Sequence, residues 1–155
     1  MASRKQNWKL WLLAGGAIFL LFFFLMVRYV AAPLIAEDNY SKRGTIAYYV
    51  TIHSATIKRF PLIKQVGTEE YYSSSGDGPK LPANGVIYLS REDPKILMES
   101  LTTFLTSRGF SKDLSQCGNM QCTYTAKGSS VDLVMTAKDA DTQQVKCIEY
   151  FEVER

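Results

Sequence analysis

The sequence predicts an α+β protein: one N-terminal transmembrane helix followed by a small, mostly antiparallel sheet with one helix packed on a face. Three observations lead there. An unbroken apolar run fills residues 10–27, a helix-period stripe with start and stop signals fills residues 94–108, and short alternating segments follow it. A strand ahead of a lone amphipathic helix, with an antiparallel meander after it, is the order that packs a helix on one side of a sheet.

The apolar run comes first. Its eighteen residues, at the helical rise of ~1.5 Å, span roughly 27 Å, the hydrocarbon thickness of a bilayer. Trp8, Lys9 and Trp11 at its entry and Arg28 and Tyr29 at its exit are the expected interface anchors. Amphipathic rings favour the headgroup layer, and a guanidinium at the bilayer centre costs roughly 2.5–3.5 kcal/mol. This gives a head at residues 1–9 and an anchor in membrane lipid at 10–28. Val30 to Ala36 is again apolar and carries Pro33, so the helix can continue as far as residue 36. A cleaved signal peptide is the alternative reading, although its apolar core is usually about 7–15 residues.

Basic residues alone do not orient the span, because Arg28, Lys42 and Arg43 following it offset Arg4, Lys5 and Lys9 before it. The short basic head and the position of all three cysteines beyond the span break the tie. The expectation is a single-pass cell-membrane protein with a cytoplasmic N-terminus and an extracytoplasmic domain, periplasmic in a bacterial envelope.

Charge narrows the function classes. Of the 18 Lys and Arg, Arg4, Lys5, Lys9 and Arg28 belong to the anchor, so 14 remain against 15 Asp and Glu and the domain carries −1. Nucleic-acid binding needs a basic stripe, and only Lys58, Arg59 and Lys64 approach one, so no nucleic-acid partner is expected.

Residues 37–44 read as a polar connector and 45–155 as one domain. Over 45–52, Ile46, Tyr48, Val50 and Ile52 alternate with Ala47, Tyr49, Thr51 and His53, which predicts a strand. Residues 65–85 dissolve into Gly, Ser, Pro and charge and read as a flexible loop. Tyr71 and Tyr72 in it are the expected partner-binding residues, because rigid aromatic area among small polar residues is the chemistry of adaptable contact loops. A mobile surface loop is the plainer reading of the same stretch.

Residues 86–89 predict a short strand. Asp93-Pro94 then offers an N-cap and a first-turn proline. Ile96, Leu97, Leu101, Phe104 and Leu105 recur at helical spacing, and Gly109 with Phe110 supplies the stop. Strands follow at 120–126, 131–136 and 145–153. In the last, Glu149 interrupts the face of Val145, Cys147, Phe151 and Val153, and a solvent-facing edge is the cheapest explanation.

With three cysteines, at most one bridge forms within the chain. Cys122–Cys147 closes the longer loop and would stabilise by about 3.5 kcal/mol, against about 2 kcal/mol for Cys117–Cys122. A meander, however, separates its first and third strands. The expected disulfide is Cys117–Cys122, with Cys147 buried and free; three reduced core thiols are the alternative.

Catalytic patterns are scarce. His53 is the one histidine, and no nucleophile-elbow pattern surrounds Ser73, Ser74 and Ser75. Cys117, Cys122, Cys147 and His53 have zinc-ligand types without a standard spacing. Glu69, Glu70 and Asp77 sit where the chain looks loosest, and a paired-carboxylate site needs a rigid scaffold. No enzyme activity, metal or cofactor is expected.

A tether plus a small domain points instead to binding, since anchoring raises the effective concentration of a partner. The first expectation is a non-enzymatic subunit of a membrane complex, accessory to secretion or the cell envelope, whose outer domain binds a protein. A membrane-tethered immunity protein against an extracytoplasmic toxin is a close variant. A third reading starts from the strand at 86–89 and the helix ending in Arg108-Gly109-Phe110, which resembles the first half of the sporulation-related repeat domain. That resemblance covers about a quarter of the chain and implies recognition of cell-wall glycan. After Gly128, where that family has a second helix, this chain reads as strands.

Overall fold

The computed structural model describes residues 3–77 and 79–151. The first helix, α1 (Ser3–Met26), runs into a π-helical turn at Val27–Ala31 and then α2 (Ala32–Ile35). Pro33 accounts for the widened turn. It has no N–H to offer the carbonyl one turn back, and the ladder steps instead from the Ala32 N–H to Val27 O. The segment Leu10–Ala31, 22 residues with mean hydropathy 2.6, is long and apolar enough to cross a membrane, and none of it is buried. Helical structure thus extends past Arg28 to Ile35, where Ala36 turns extended.

Beyond β1 (Asp38–Ser41), the expected strand at 45–52 is a helix, α3 (Ile46–Thr51). The Thr45 hydroxyl accepts the Tyr48 N–H and caps it, and Thr51 donates to Ala47 O. Burial decides the matter: Tyr48, Thr51 and Ile52 turn inward at the i, i+3, i+4 spacing of a helix, which overrides the β preference of Ile, Val and Thr. A short α4 (Ala55–Lys58) follows, capped by Ser54.

The loop expected at 65–85 is mostly strand. β2 (Gln65–Ser74) and β3 (Ala83–Ser90) pair antiparallel, leaving only residues 75–82 to connect them. Polar composition hid β2 because few of its residues are apolar, and a register shift between Val66 and Glu70 breaks its alternation. Gly76, at φ +74, closes the connection; a Cβ there would stand 2.8 Å from Lys80 O.

The remaining elements are α5 (Pro94–Ser107), β4 (Ser111–Asp113), a 3-10 turn at Leu114–Gln116, β5 (Gln121–Ala126), β6 (Ser129–Ala137) and β7 (Gln143–Phe151). The signals expected for α5 are in place. Asp93 Oδ1 accepts the Lys95 and Ile96 N–H groups, Gly109 takes φ +89, and the Phe110 N–H reaches back to Leu105 O.

All seven strands form one antiparallel sheet in the order β1-β2-β3-β7-β6-β5-β4. The last strand is therefore interior, and the solvent-facing edge expected at Glu149 is overturned: Glu149 lies between β3 and β6 and is 6% exposed. Val153 lies outside the described residues. Strand register lines up Val86, Cys147, Leu133 and Cys122 in one buried row, with Leu97, Leu101 and Leu105 of α5 in the same cluster. Ile96, expected in that stripe, points outward, while Phe104 meets Phe60 edge-on at 5.6 Å.

Candidate functional site

The core cluster under α3, α4 and α5 takes its strand residues from one face of the sheet. Successive strand side chains point to opposite faces, so the residues between them form a second face that no described helix packs into that core. Register assembles it in rows. One row runs Tyr40, Tyr72, Gly85, Ile148, Asp132 and Thr123; its neighbours carry Ile87, Lys146 and Val134 on one side and Ala83, Tyr150 and Ser130 on the other.

This open face has a defined centre. A Cβ on Gly85 would meet both Cys147 O and Ile148 Cγ1 at 3.0 Å, so glycine there leaves room for Ile148 to pack closely against β3. Tyr40 and Tyr72 stack at a tilt of 51°, centroids 5.3 Å apart. Tyr72 Oη donates to Asp38 Oδ1 at 2.6 Å, and Lys80 Nζ donates to the same oxygen at 2.7 Å. Those two donors, Lys80 first, hold the Asp38 carboxyl below its usual range. Toward the far side Thr123 donates to Asp132 at 2.8 Å. Ile148, Ala83 and Thr123 are buried within this face, Tyr72, Ile87, Val134 and Tyr150 are half-buried, and its charges are mixed.

Tyr71 is not part of it. Expected as a contact residue, it is fully buried on the opposite face, because it and Tyr72 are consecutive in a strand. Its ring meets Tyr48 edge-on at 4.7 Å with the Arg43 guanidinium 5.6 Å from its centroid, and burial pushes its phenol up to about 12. Tyr72 is half-exposed on the open face. Of the expected interface anchors, Trp8, Trp11, Arg28 and Tyr29 are exposed along the first helix, and the Lys9 side chain lies outside the described residues. Cys117 and Cys122 form a disulfide, which removes both as metal ligands, and Cys147 is free and buried. Burial, then the charges of Glu149 and Asp132, push the Cys147 thiol well up.

The polar cluster that sequence reasoning missed lies under α3 and α4. Asn84 Oδ1 accepts the His53 and Ser54 N–H groups at 2.7 and 2.9 Å, and its Nδ2 donates to Thr51 O and Ala83 O. The Ser54 hydroxyl donates to Glu149 Oε2 while accepting the Ile57 N–H at 2.9 Å. Three of the Asn84 amide's bonds, to the His53 and Ser54 N–H groups and Thr51 O, hold the α3–α4 link to the sheet, and the fourth goes to its own neighbour Ala83 O. The Ser54 hydroxyl is committed in the same way, and the His53 side chain is exposed. Position 84 carries a sequence signal of sorts, a polar residue at the start of an apolar strand, and Glu149 carries the matching one in β7.

The carboxylates once grouped as a possible pair are dispersed: Glu69 accepts from Gln65 Nε2 at 2.7 Å, Glu70 is on the open face and Asp77 is in the β2–β3 turn. Among the described residues no group of three His, Cys, Asp or Glu is placed to hold a metal.

The chain matches no family model, no curated protein and no solved structure. The reading of the open face rests on its geometry. Two clefts flank the point where the first helix meets the domain. One, of about 330 Å³, lies among Pro33, Ala36, His53, Ser73 and Phe151. The other, of about 570 Å³, lies among Tyr29, Tyr40, Lys42, Ile46 and Glu70.

Proposed function

We propose that the protein is a non-enzymatic, single-pass membrane protein whose domain, outside the cytoplasm, binds a protein partner through its open sheet face, as an accessory subunit of a secretion or cell-envelope complex. The observation that carries this reading is a seven-stranded sheet with its helices' core on one face only. Two-layer domains leave such a face to water when it is polar, whereas here Ile87, Val134, Ile148, Tyr72 and Tyr150 line it. Tyrosine clustered with aliphatic neighbours is enriched at protein interfaces. A broad uncovered sheet also suits a protein surface better than a glycan, which favours an aromatic-lined groove.

The first helix supports tethering by length and apolarity, and a disulfide fits an oxidising compartment. Reporter fusions at each terminus test sidedness: activity of a cytoplasmic reporter at the N-terminus and of an extracytoplasmic reporter at the C-terminus is expected. Gentle detergent extraction tests the binding role. The full chain is expected to co-purify with other membrane proteins, and Tyr150→Ala with Lys146→Glu is expected to lose them while remaining folded. Recovery of the wild-type chain as a lone monomer would contradict the proposal.

A further inference from the structure

The first helix does not leave the domain on a flexible stalk. Val30 to Pro33 are half-buried where the π-helical turn and α2 contact α3, so the end of the apolar segment and the domain share a surface. At that junction lies the larger cleft, about 570 Å³, with Tyr29 one residue beyond Arg28 on one wall and Tyr40, Lys42, Ile46 and Glu70 around the others.

Local structure fixes these groups. Gly44, at φ +86, closes a turn in which the Thr45 hydroxyl and N–H both donate to Lys42 O, at 2.8 and 3.2 Å. That sets Lys42 at the mouth with its ammonium exposed, and among the described residues neither Lys42 nor Glu70 has an ion-pair partner. Ser41, which lines the cleft between Tyr40 and Lys42, has an enclosed hydroxyl without a partner. Ile46 and Tyr49 stand 53% and 65% exposed on one side of α3, the helix that contacts the π-helical turn and α2.

The cleft therefore offers one cation, one anion and two phenol hydroxyls over an apolar rim, next to the end of a helix long enough to cross a bilayer. We propose that it holds the headgroup of a zwitterionic phospholipid of the leaflet from which that helix emerges. The phosphate accepts from Lys42 and the Tyr29 and Tyr40 hydroxyls, the ammonium faces Glu70, and Ile46 and Tyr49 rest at the acyl boundary. This rests on the helix being membrane-spanning, and it adds a second contact that seats the domain on the lipid surface.

The test is native mass spectrometry of the full chain released from micelles supplied with phosphatidylethanolamine or phosphatidylglycerol, alongside alkaline carbonate extraction of cell membranes. The wild type is expected to retain phosphatidylethanolamine over phosphatidylglycerol by about threefold to fivefold, as one partly exposed ion pair allows. Lys42→Ala with Glu70→Gln should abolish that preference without unfolding, since both side chains are exposed. Equal retention of the two lipids, or a preference unchanged in the double variant, would overturn the headgroup assignment. Release of the wild-type chain by carbonate would instead remove the membrane-spanning reading beneath it.

Discussion

The two faces of the sheet are built from the same strands and differ in what covers them. On the covered face, Val86, Cys147, Leu133 and Cys122 meet Leu97, Leu101 and Leu105, and the buried Asn84 amide beside them has all its polar positions hydrogen-bonded. On the open face, Tyr72, Ile148 and Tyr150 lie beside Lys146, Asp132 and Glu70 with nothing described packed over them. The first face has the composition of a core and the second that of an interface. Burial under the helices fixes the covered face, while the open face carries half-buried tyrosine and aliphatic groups with no helix of the core cluster on them.

That comparison breaks most visibly at the core. Leu101→Ala should cost about 2–5 kcal/mol in denaturant unfolding, since it empties a fully buried site under α5. Asn84→Ala should cost about 2–4 kcal/mol by leaving the His53 and Ser54 N–H groups and Thr51 O without partners, and Glu149→Gln should cost less, because its amide oxygen still accepts from Ser54. Cys117→Ser removes the short Cys117–Cys122 loop and should lower stability by about 2 kcal/mol in the chain-entropy account. Cys147 should resist alkylation until the domain unfolds.

Changes on the open face should move stability little. Tyr150→Ala is expected within about 1 kcal/mol of wild type, while removing partner retention. The smallest effect is pH-dependent. Asp38 sits below its ordinary value of 3.8 because Lys80 and Tyr72 donate to it, so its contribution is present above 3.8 and is lost as pH falls through the lower folded value. Tyr72 resonances should shift in that acid window, and the shift should vanish in Asp38→Asn.

Legibility in the sequence followed the same division. Signals carried by short-range chemistry were readable: the apolar run, the Asp93-Pro94 start and Gly109 stop of α5, and the close cysteines whose pairing a meander favours. Features decided by distant partners were not. α3 alternates like a strand because its inward residues at i, i+3 and i+4 are matched only by Tyr71 and the sheet beneath. β2 looks like a loop because its strand character comes from pairing with β1 and β3 rather than from its own hydrophobicity. The same cause separates Tyr71 from Tyr72: a loop can present adjacent tyrosines on one surface, whereas a pleated strand sends them to opposite sides. Glu149 could be seen to interrupt an apolar face, but the strand order that buries it against Ser54 could not.

The most direct test of the proposed role is site-specific photocrosslinking in intact cells, with a photoreactive residue placed at Tyr150 or Val134 on the open face, or at Ile96 or Glu99 on the outer side of α5. The account predicts one discrete protein adduct from both open-face positions, lost in the Lys146→Glu variant, and none from α5. Adducts from α5 with none from Tyr150 and Val134 would contradict it.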